Sequence, residues 1–223
     1  MQIRRNFVAA FLLFGSLLTL SCSISPASNK PTESVKSTVL GDGHKYFPLV
    51  DGSKWEFIYE FSNAYGIQKG KKIVRVDGQE TINDKVYYKL ISAYSGIPGA
   101  ESDVSYYRYS SEGIFYLSSK DKSEILYLPN KLEVGTTWII PFHRGDTFCR
   151  VESMESAELF DRKYENCFKI TFERTEKDEE GKYKIKGYEY LAPGIGTVKI
   201  VRVIENLIYS SKIIEDISLD SFK

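Results

Sequence analysis

The chain has 223 residues, with 30 basic and 30 acidic side chains, 42% hydrophobic residues and 14% aromatics. That size and apolar content suit one globular domain with appendages. The even charge balance lacks the concentrated positive footprint of a nucleic-acid binder, so no nucleic-acid partner is expected.

In chain order, residues 1–21 come first. Met1 to Asn6 holds Arg4 and Arg5 and no acid, and Phe7 to Leu20 is apolar apart from Gly15, Ser16 and Thr19. Basic, then apolar, then small residues make an export signal. The apolar run of 14 residues falls short of the roughly 20 that a membrane-spanning helix needs. It also lacks the alternating polar positions of a buried amphipathic helix.

The end of this segment, Leu18-Thr19-Leu20-Ser21-Cys22, resembles the lipobox of a bacterial lipoprotein signal, with Thr19 standing where Leu is usual. The resemblance implies a diacylglyceryl thioether on the Cys22 sulfur, cleavage before Cys22 and acylation of the new amine. Each buried methylene contributes about 0.8 kcal/mol, so one chain binds a bilayer marginally and two or three bind durably. The membrane is then a partner through the N-terminal lipid. The alternative is an ordinary secretory signal cut near Ser21. Ser23 after the cysteine is similar to the sorting pattern that favours the outer membrane. Arg4-Arg5-Asn6-Phe7 is similar to part of a twin-arginine signal, although the run behind it is very apolar for that route. Residues 22–43 are rich in Ser, Pro, Thr and Gly and poor in large apolar side chains, the composition of a flexible tether.

Residues 44–223 read as one all-β, antiparallel domain. Lys54 to Phe61 sets Trp55, Phe57, Tyr59 and Phe61 on one face and Lys54, Glu56 and Glu60 on the other, the period-two signature of a half-buried strand. Further strands are expected at Lys71–Val76, Val86–Tyr94, Val104–Tyr109, Ile114–Leu117, Ile125–Leu128, Thr137–Phe142, Thr147–Ser153, Cys167–Arg174, Tyr183–Leu191, Thr197–Ile204 and Leu207–Ile217. Ser156–Tyr164 is expected as a short helix. A dozen strands with short links imply sequential antiparallel pairing. Runs apolar on both faces, such as IVRV, point to a curved sheet, a barrel or a sandwich.

Leu49-x-x-Gly52-x-x-Trp55 and Leu132-x-x-Gly135-x-x-Trp138 repeat one pattern 83 positions apart. It reads as two turns of like geometry, each delivering a Trp into the core; two Trp ligand sites are the other reading. Together with Phe160 and Tyr164-Glu-Asn-Cys167-Phe-Lys-Ile170, and with Tyr190-Leu-Ala-Pro-Gly194-Ile-Gly196-Thr-Val-Lys199, this pattern resembles a family of secreted or lipid-anchored bacterial β proteins, mostly of unknown function. The resemblance implies a fold and an envelope address over residues 46–204. A looser likeness is to the curved sheets of lipoprotein carriers, which enclose an apolar cavity.

No catalytic, metal or cofactor motif appears, and no cofactor is expected. His44 and His143 lack partners at ligand spacing, and Cys149 with His143 lacks a third orienting group. Cys149 and Cys167 form an even pair suited to an oxidising compartment. Strand parity opposes a disulfide, because Cys167 shares a face with Lys169, Thr171 and Glu173 and Cys149 with Val151, so the pairing stays open. Arg144-Gly145-Asp146 is similar to integrin-recognition loops but is also ordinary turn chemistry. Tyr87, Tyr88, Tyr106, Tyr107 and Tyr109 suit cross-strand packing or a glycan or apolar ligand.

The sequence thus points to a non-enzymatic, lipid-anchored envelope protein that binds a lipid, glycan or protein or plays a structural part. An adhesin using Arg144 to Asp146 is the first alternative and an envelope hydrolase the second.

Overall fold

The computed structural model describes residues 42–96, 101–118, 123–142, 144–178, 181–208 and 210–223. Cys22, the export signal, His143 and nearly all of the expected tether lie outside the described residues.

A short helix, α1 (Asp42–Tyr46), precedes twelve strands. These are β1 (Lys54–Asn63), β2 (Gly66–Ile82), β3 (Lys85–Ser95), β4 (Asp103–Tyr109), β5 (Gly113–Leu117) and β6 (Glu124–Pro129). They continue with β7 (Thr137–Ile140), β8 (Thr147–Leu159), β9 (Arg162–Asp178), β10 (Gly181–Ala192), β11 (Gly196–Asn206) and β12 (Lys212–Phe222). Each strand pairs antiparallel with its neighbour in sequence, except that β6 and β7 do not pair. β12 pairs back onto β1, giving the order β6-β5-β4-β3-β2-β1-β12-β11-β10-β9-β8-β7. The sheet curls into a nearly closed up-and-down barrel, which removes most free edges. The gap is the seam between β6 and β7.

The alternation in β1 is realised: Trp55, Phe57 and Tyr59 are buried while Lys54, Glu56 and Ile58 are half-buried. Bulges at Val76/Gln79, Ile114/Phe115 and Val151/Ser153 bend the long strands around the lumen. Two expectations are corrected. Ser156–Tyr164 is no helix; its ends lie in β8 and β9, with Ala157 opposite Tyr164 and Leu159 opposite Arg162. So short a helix is marginal alone, whereas pairing buries Ala157 and Leu159. The last strand begins at Lys212 rather than Leu207, because the Asn206 side-chain carbonyl accepts the Ile208 N–H at 2.8 Å and holds a turn there.

Residues 42–50 plug one end of the barrel. The Lys45 carbonyl accepts the Gly194 N–H at 2.7 Å, and the Tyr46 hydroxyl donates to the Asn166 carbonyl at 3.0 Å. The Tyr109 hydroxyl accepts the Leu49 N–H at 2.5 Å and donates to the Phe47 carbonyl at 3.1 Å. His44 stacks on the Tyr109 ring, with centroids 3.9 Å apart. The turn that carries Trp55 and the Pro193–Gly196 turn meet at this end. Pro193-Gly194 turns β10 into β11, with the Ile195 N–H bonded to the Ala192 carbonyl and Gly194 at φ +74°, as a type II turn requires. The Ile195 carbonyl then accepts the Trp55 indole N–H at 2.6 Å.

Cys149 and Cys167 are both buried and free, so the disulfide that the sequence left open is absent. Cys149 lies opposite Phe172 and Cys167 opposite Glu155. Five residues of β9 separate Phe172 from Cys167, about 16 Å of strand, far beyond the roughly 7 Å that a bridge tolerates.

Candidate functional site

The lumen is not uniformly apolar. Counting inward-facing positions from the register, β2 contributes Lys72, β4 Asp103, β10 Glu189, β11 Arg202 and β12 Glu215. Charges on a core face are costly unless paired, so their partners decide what they do.

Arg202 and Glu215 face each other across β11 and β12, 3.5 Å apart, and the Tyr59 hydroxyl donates to Glu215 at 2.8 Å. Burial works against the Arg202 charge, but Glu215, Tyr59 and Tyr94 around it outweigh that and raise its pKa. This trio is satisfied. Gly187 lies opposite Arg202 on β10; a Cβ there would stand 2.8 Å from the Phe172 ring and 2.1 Å from the Val201 carbonyl oxygen, so only glycine fits.

Lys72 and Glu189 differ. They line a cavity of about 140 Å³ beneath the plug, with Phe47, Trp55, Tyr107 and Tyr127 on its walls. Among the described residues no carboxylate pairs directly with Lys72; Asp103, Glu189 and Glu215 act on it from a distance. Its ammonium lies 5.6 Å from the Tyr94 ring centroid. Burial, with Arg202 adding repulsion, pushes its pKa down to about 8. Glu189 accepts a hydrogen bond from the Thr197 hydroxyl and feels Arg202 and Lys72 only at a distance. Burial pushes its carboxyl upward. Glu189 and burial together hold the Tyr127 hydroxyl protonated, and burial does so for Tyr107. The cavity therefore combines one amine, one carboxyl group, two hydroxyls and apolar walls.

Tyr127 also sits at the seam, where its carbonyl accepts the Trp138 indole N–H at 3.0 Å. A larger, open depression of about 1040 Å³ spans the outer face of β7 to β11, over Ile139, Phe148, Tyr188, Val201 and Val203. It is an open surface depression rather than a cavity within the barrel, so the lumen is the better candidate.

Other expected residues fall elsewhere. Arg144 is half-buried and Asp146 exposed. A Cβ on Gly145 would stand 2.1 Å from the Thr175 carbonyl oxygen, so this tripeptide is a turn pressed against β9. The tyrosines mostly pack on one another. Tyr88 meets Tyr109 edge-on, and Tyr107 meets Tyr116 and Tyr127. Tyr107 alone of the expected five lines the cavity. Among the described residues no three His, Cys, Asp or Glu side chains are grouped to hold a metal.

Fold and site define a twelve-stranded antiparallel barrel with a plugged end and a small charged lumen. No protein family and no curated protein matches the chain. Among solved structures it is similar to a Bacteroides fragilis protein described provisionally as exported, with a YmcC-like fold. That likeness has 16% identity and a TM-score of 0.53 and covers 79% of this chain and 98% of the other; at such identity it shows the fold alone. A Parabacteroides distasonis protein described provisionally as a lipoprotein aligns at 15% identity and a TM-score of 0.43, covering 80% of this chain and 98% of its own.

Proposed function

We propose that the protein is a lipid-anchored component of the bacterial cell envelope, held through Cys22, with the outer membrane as the favoured address. Its role is non-catalytic: the barrel holds a small polar ligand in the lumen. One observation carries the binding role: Lys72 and Glu189 face a common cavity, yet among the described residues neither forms an ion pair, with the other or with any third group. An apolar lipid tail would leave both charges dehydrated and unmatched, so the lumen suits a polar guest better than an acyl chain. The envelope address is supported by the order of residues 1–22 and by the export description of the B. fragilis neighbour.

Two measurements on protein from its own host test this reading. Denaturing intact mass is expected to show a chain beginning at Cys22 and carrying acyl groups, and Cys22→Ala is expected to leave the membrane fraction. A bare Cys22 sulfur, or full membrane partition of that variant, overturns the anchor. Native mass spectrometry is expected to show a small retained ligand that Lys72→Met and Glu189→Gln each lose. Native mass equal to the denatured mass, together with no binding of added small polar molecules, overturns the binding role.

A further inference from the structure

We propose that the lumen ligand is a small zwitterion of the amino-acid class, its carboxylate on the Lys72 side and its ammonium on the Glu189 side. This rests on the lumen-binding reading above and names its ligand chemistry.

Charge supplies the first argument. A ligand with a single charge matches one of Lys72 and Glu189 and, by displacing water from the cavity, leaves the other half-buried group dehydrated without a partner, which is costly. A zwitterion compensates both at once and brings no net charge into the barrel. The two residues come from β2 and β10, four strands apart in the sheet order. Each influences the other electrostatically, yet they form no ion pair, and both line the one cavity. A guest whose opposite charges are held on a short covalent frame offers each of them a partner.

Size supplies the second. A cavity of about 140 Å³ is in the class that accepts a molecule of about six heavy atoms. This admits glycine, alanine, serine or β-alanine and excludes sugars, nucleotides and peptides. The walls supply the third. Phe57, Leu90 and Ile200 suit a short aliphatic body. Tyr107 and Tyr127 stay protonated there and can donate to a carboxylate. The satisfied Arg202–Glu215–Tyr59 trio takes no part, since its hydrogen-bonding groups are already used.

The test uses the mature lipoprotein in detergent, with thermal unfolding and calorimetric titration against glycine, L-alanine, L-serine and β-alanine. Acetate and methylammonium serve as the two half-ligands. At least one zwitterion is expected to raise Tm by about 5–10 °C at a hundredfold excess over its Kd, with neither half-ligand doing so. Lys72→Met and Glu189→Gln are each expected to lower the affinity at least about tenfold while keeping the barrel's circular dichroism. If either half-ligand binds as well as the zwitterions, the zwitterion proposal falls and lumen binding stands. If no zwitterion binds while native mass spectrometry shows a retained molecule, the ligand class is likewise wrong. If no probe binds and native mass shows nothing, the binding role falls with it. Wild-type protein alone decides among these outcomes, even where a variant misfolds.

Discussion

Trp55 and Trp138 make the same bond at the start of β1 and of β7: each donates its indole N–H to a backbone carbonyl, Ile195 at 2.6 Å and Tyr127 at 3.0 Å. The turns that deliver them also match. Gly52 and Gly135 both have positive φ, +81° and +93°. The N–H of Gly52 bonds to the Val76 carbonyl and that of Gly135 to the Val151 carbonyl. Val76 and Val151 in turn donate to Ser53 and Thr136. The barrel thus holds two six-stranded halves opened by one device. The two junctions between them differ. β12 and β1 pair from Trp55 opposite Phe222 to Ser62 opposite Ile214, whereas β6 and β7 share no ladder, and the Trp138 bond crosses their seam.

Removing that bond is expected to act locally. Trp138→Phe should cost about 1 kcal/mol, the usual net worth of such a hydrogen bond, plus packing. Hydrogen exchange read by mass spectrometry should quicken across Glu124–Pro129 and Thr137–Ile140. Trp55→Phe should cost a similar amount without quickening β12, which its ladder still holds. Equal exchange at both junctions in the two variants would contradict the view of β6/β7 as the weak seam.

Lys72 makes a prediction about stability against pH. Its pKa falls from 10.5 to about 8 in the folded state, so between those values the unfolded chain holds the extra proton and stability rises with pH. Below about pH 8 the barrel carries the full penalty of an enclosed ammonium. Lys72→Met is expected to raise stability at pH 7 by about 1–3 kcal/mol, and the advantage should vanish near pH 10.5. Denaturant midpoints at pH 7 and pH 10 measure it; an unchanged gap between variant and wild type would contradict it.

Glu124 predicts the opposite limb. On the outer face it accepts hydrogen bonds from Arg108, from Lys85 at 2.5 Å and from the Tyr87 hydroxyl at 2.5 Å. Arg108 above all holds its carboxyl at about 2, against 4.5 unperturbed. A depressed carboxylate stabilises the fold above its unfolded pKa and loses that contribution as pH falls from about 4.5 toward 2. Because the cluster is partly solvated, its worth is about 1–2 kcal/mol. Glu124→Gln should lower stability at pH 7 by that amount and flatten the acid limb of a Tm-against-pH series.

Much of the fold was legible because alternation in β1 is strong, the other strands are rich in β-branched and aromatic residues, and the turns carry Gly, Asn or Asp. The long charged ends of β2, β8 and β9 were not. Most of their residues are charged or polar and exposed, and the few buried ones, such as Ala157 and Leu159, are too sparse to mark an apolar period. The site does have a signal in the sequence. Lys72 shares its parity with Val74 and Val76, Arg202 with Ile200 and Ile204, and Glu215 with Ile213 and Ile217. A charge on an apolar face announces a polar lumen. Glu189 was less visible, since Tyr188 and Tyr190 flank it and disguise which face is inside. The tyrosine cluster drew attention by composition, but packing absorbs most of it.

The free thiols give a chemical count. Burial pushes Cys149 up to about 12 and also raises Cys167, so neither is a ready nucleophile at neutral pH. The native protein should react with no thiol reagent at these positions, and guanidinium should release two equivalents when Cys22 is lipidated. A count of zero after denaturation would restore the disulfide.

Arg202 and Glu215 supply the largest expected effect. Arg202→Met leaves the Glu215 carboxylate, 5% exposed, without its cation, and stranding a buried charge costs about 3–5 kcal/mol. The Tyr59 hydroxyl remains to donate one bond, which holds the loss toward the lower end. Glu215→Gln keeps a hydrogen-bond acceptor for Tyr59 but strands Arg202 in turn. Arg202→Met with Glu215→Leu removes both charges and should recover most of the stability, because a buried pair and a well-packed apolar replacement are often nearly equal. A double-mutant cycle by urea unfolding measures the coupling directly. Additive losses in the double variant would mean that the two side chains do not depend on each other, and that the lumen's charges are balanced by solvent rather than by their partners across β11 and β12.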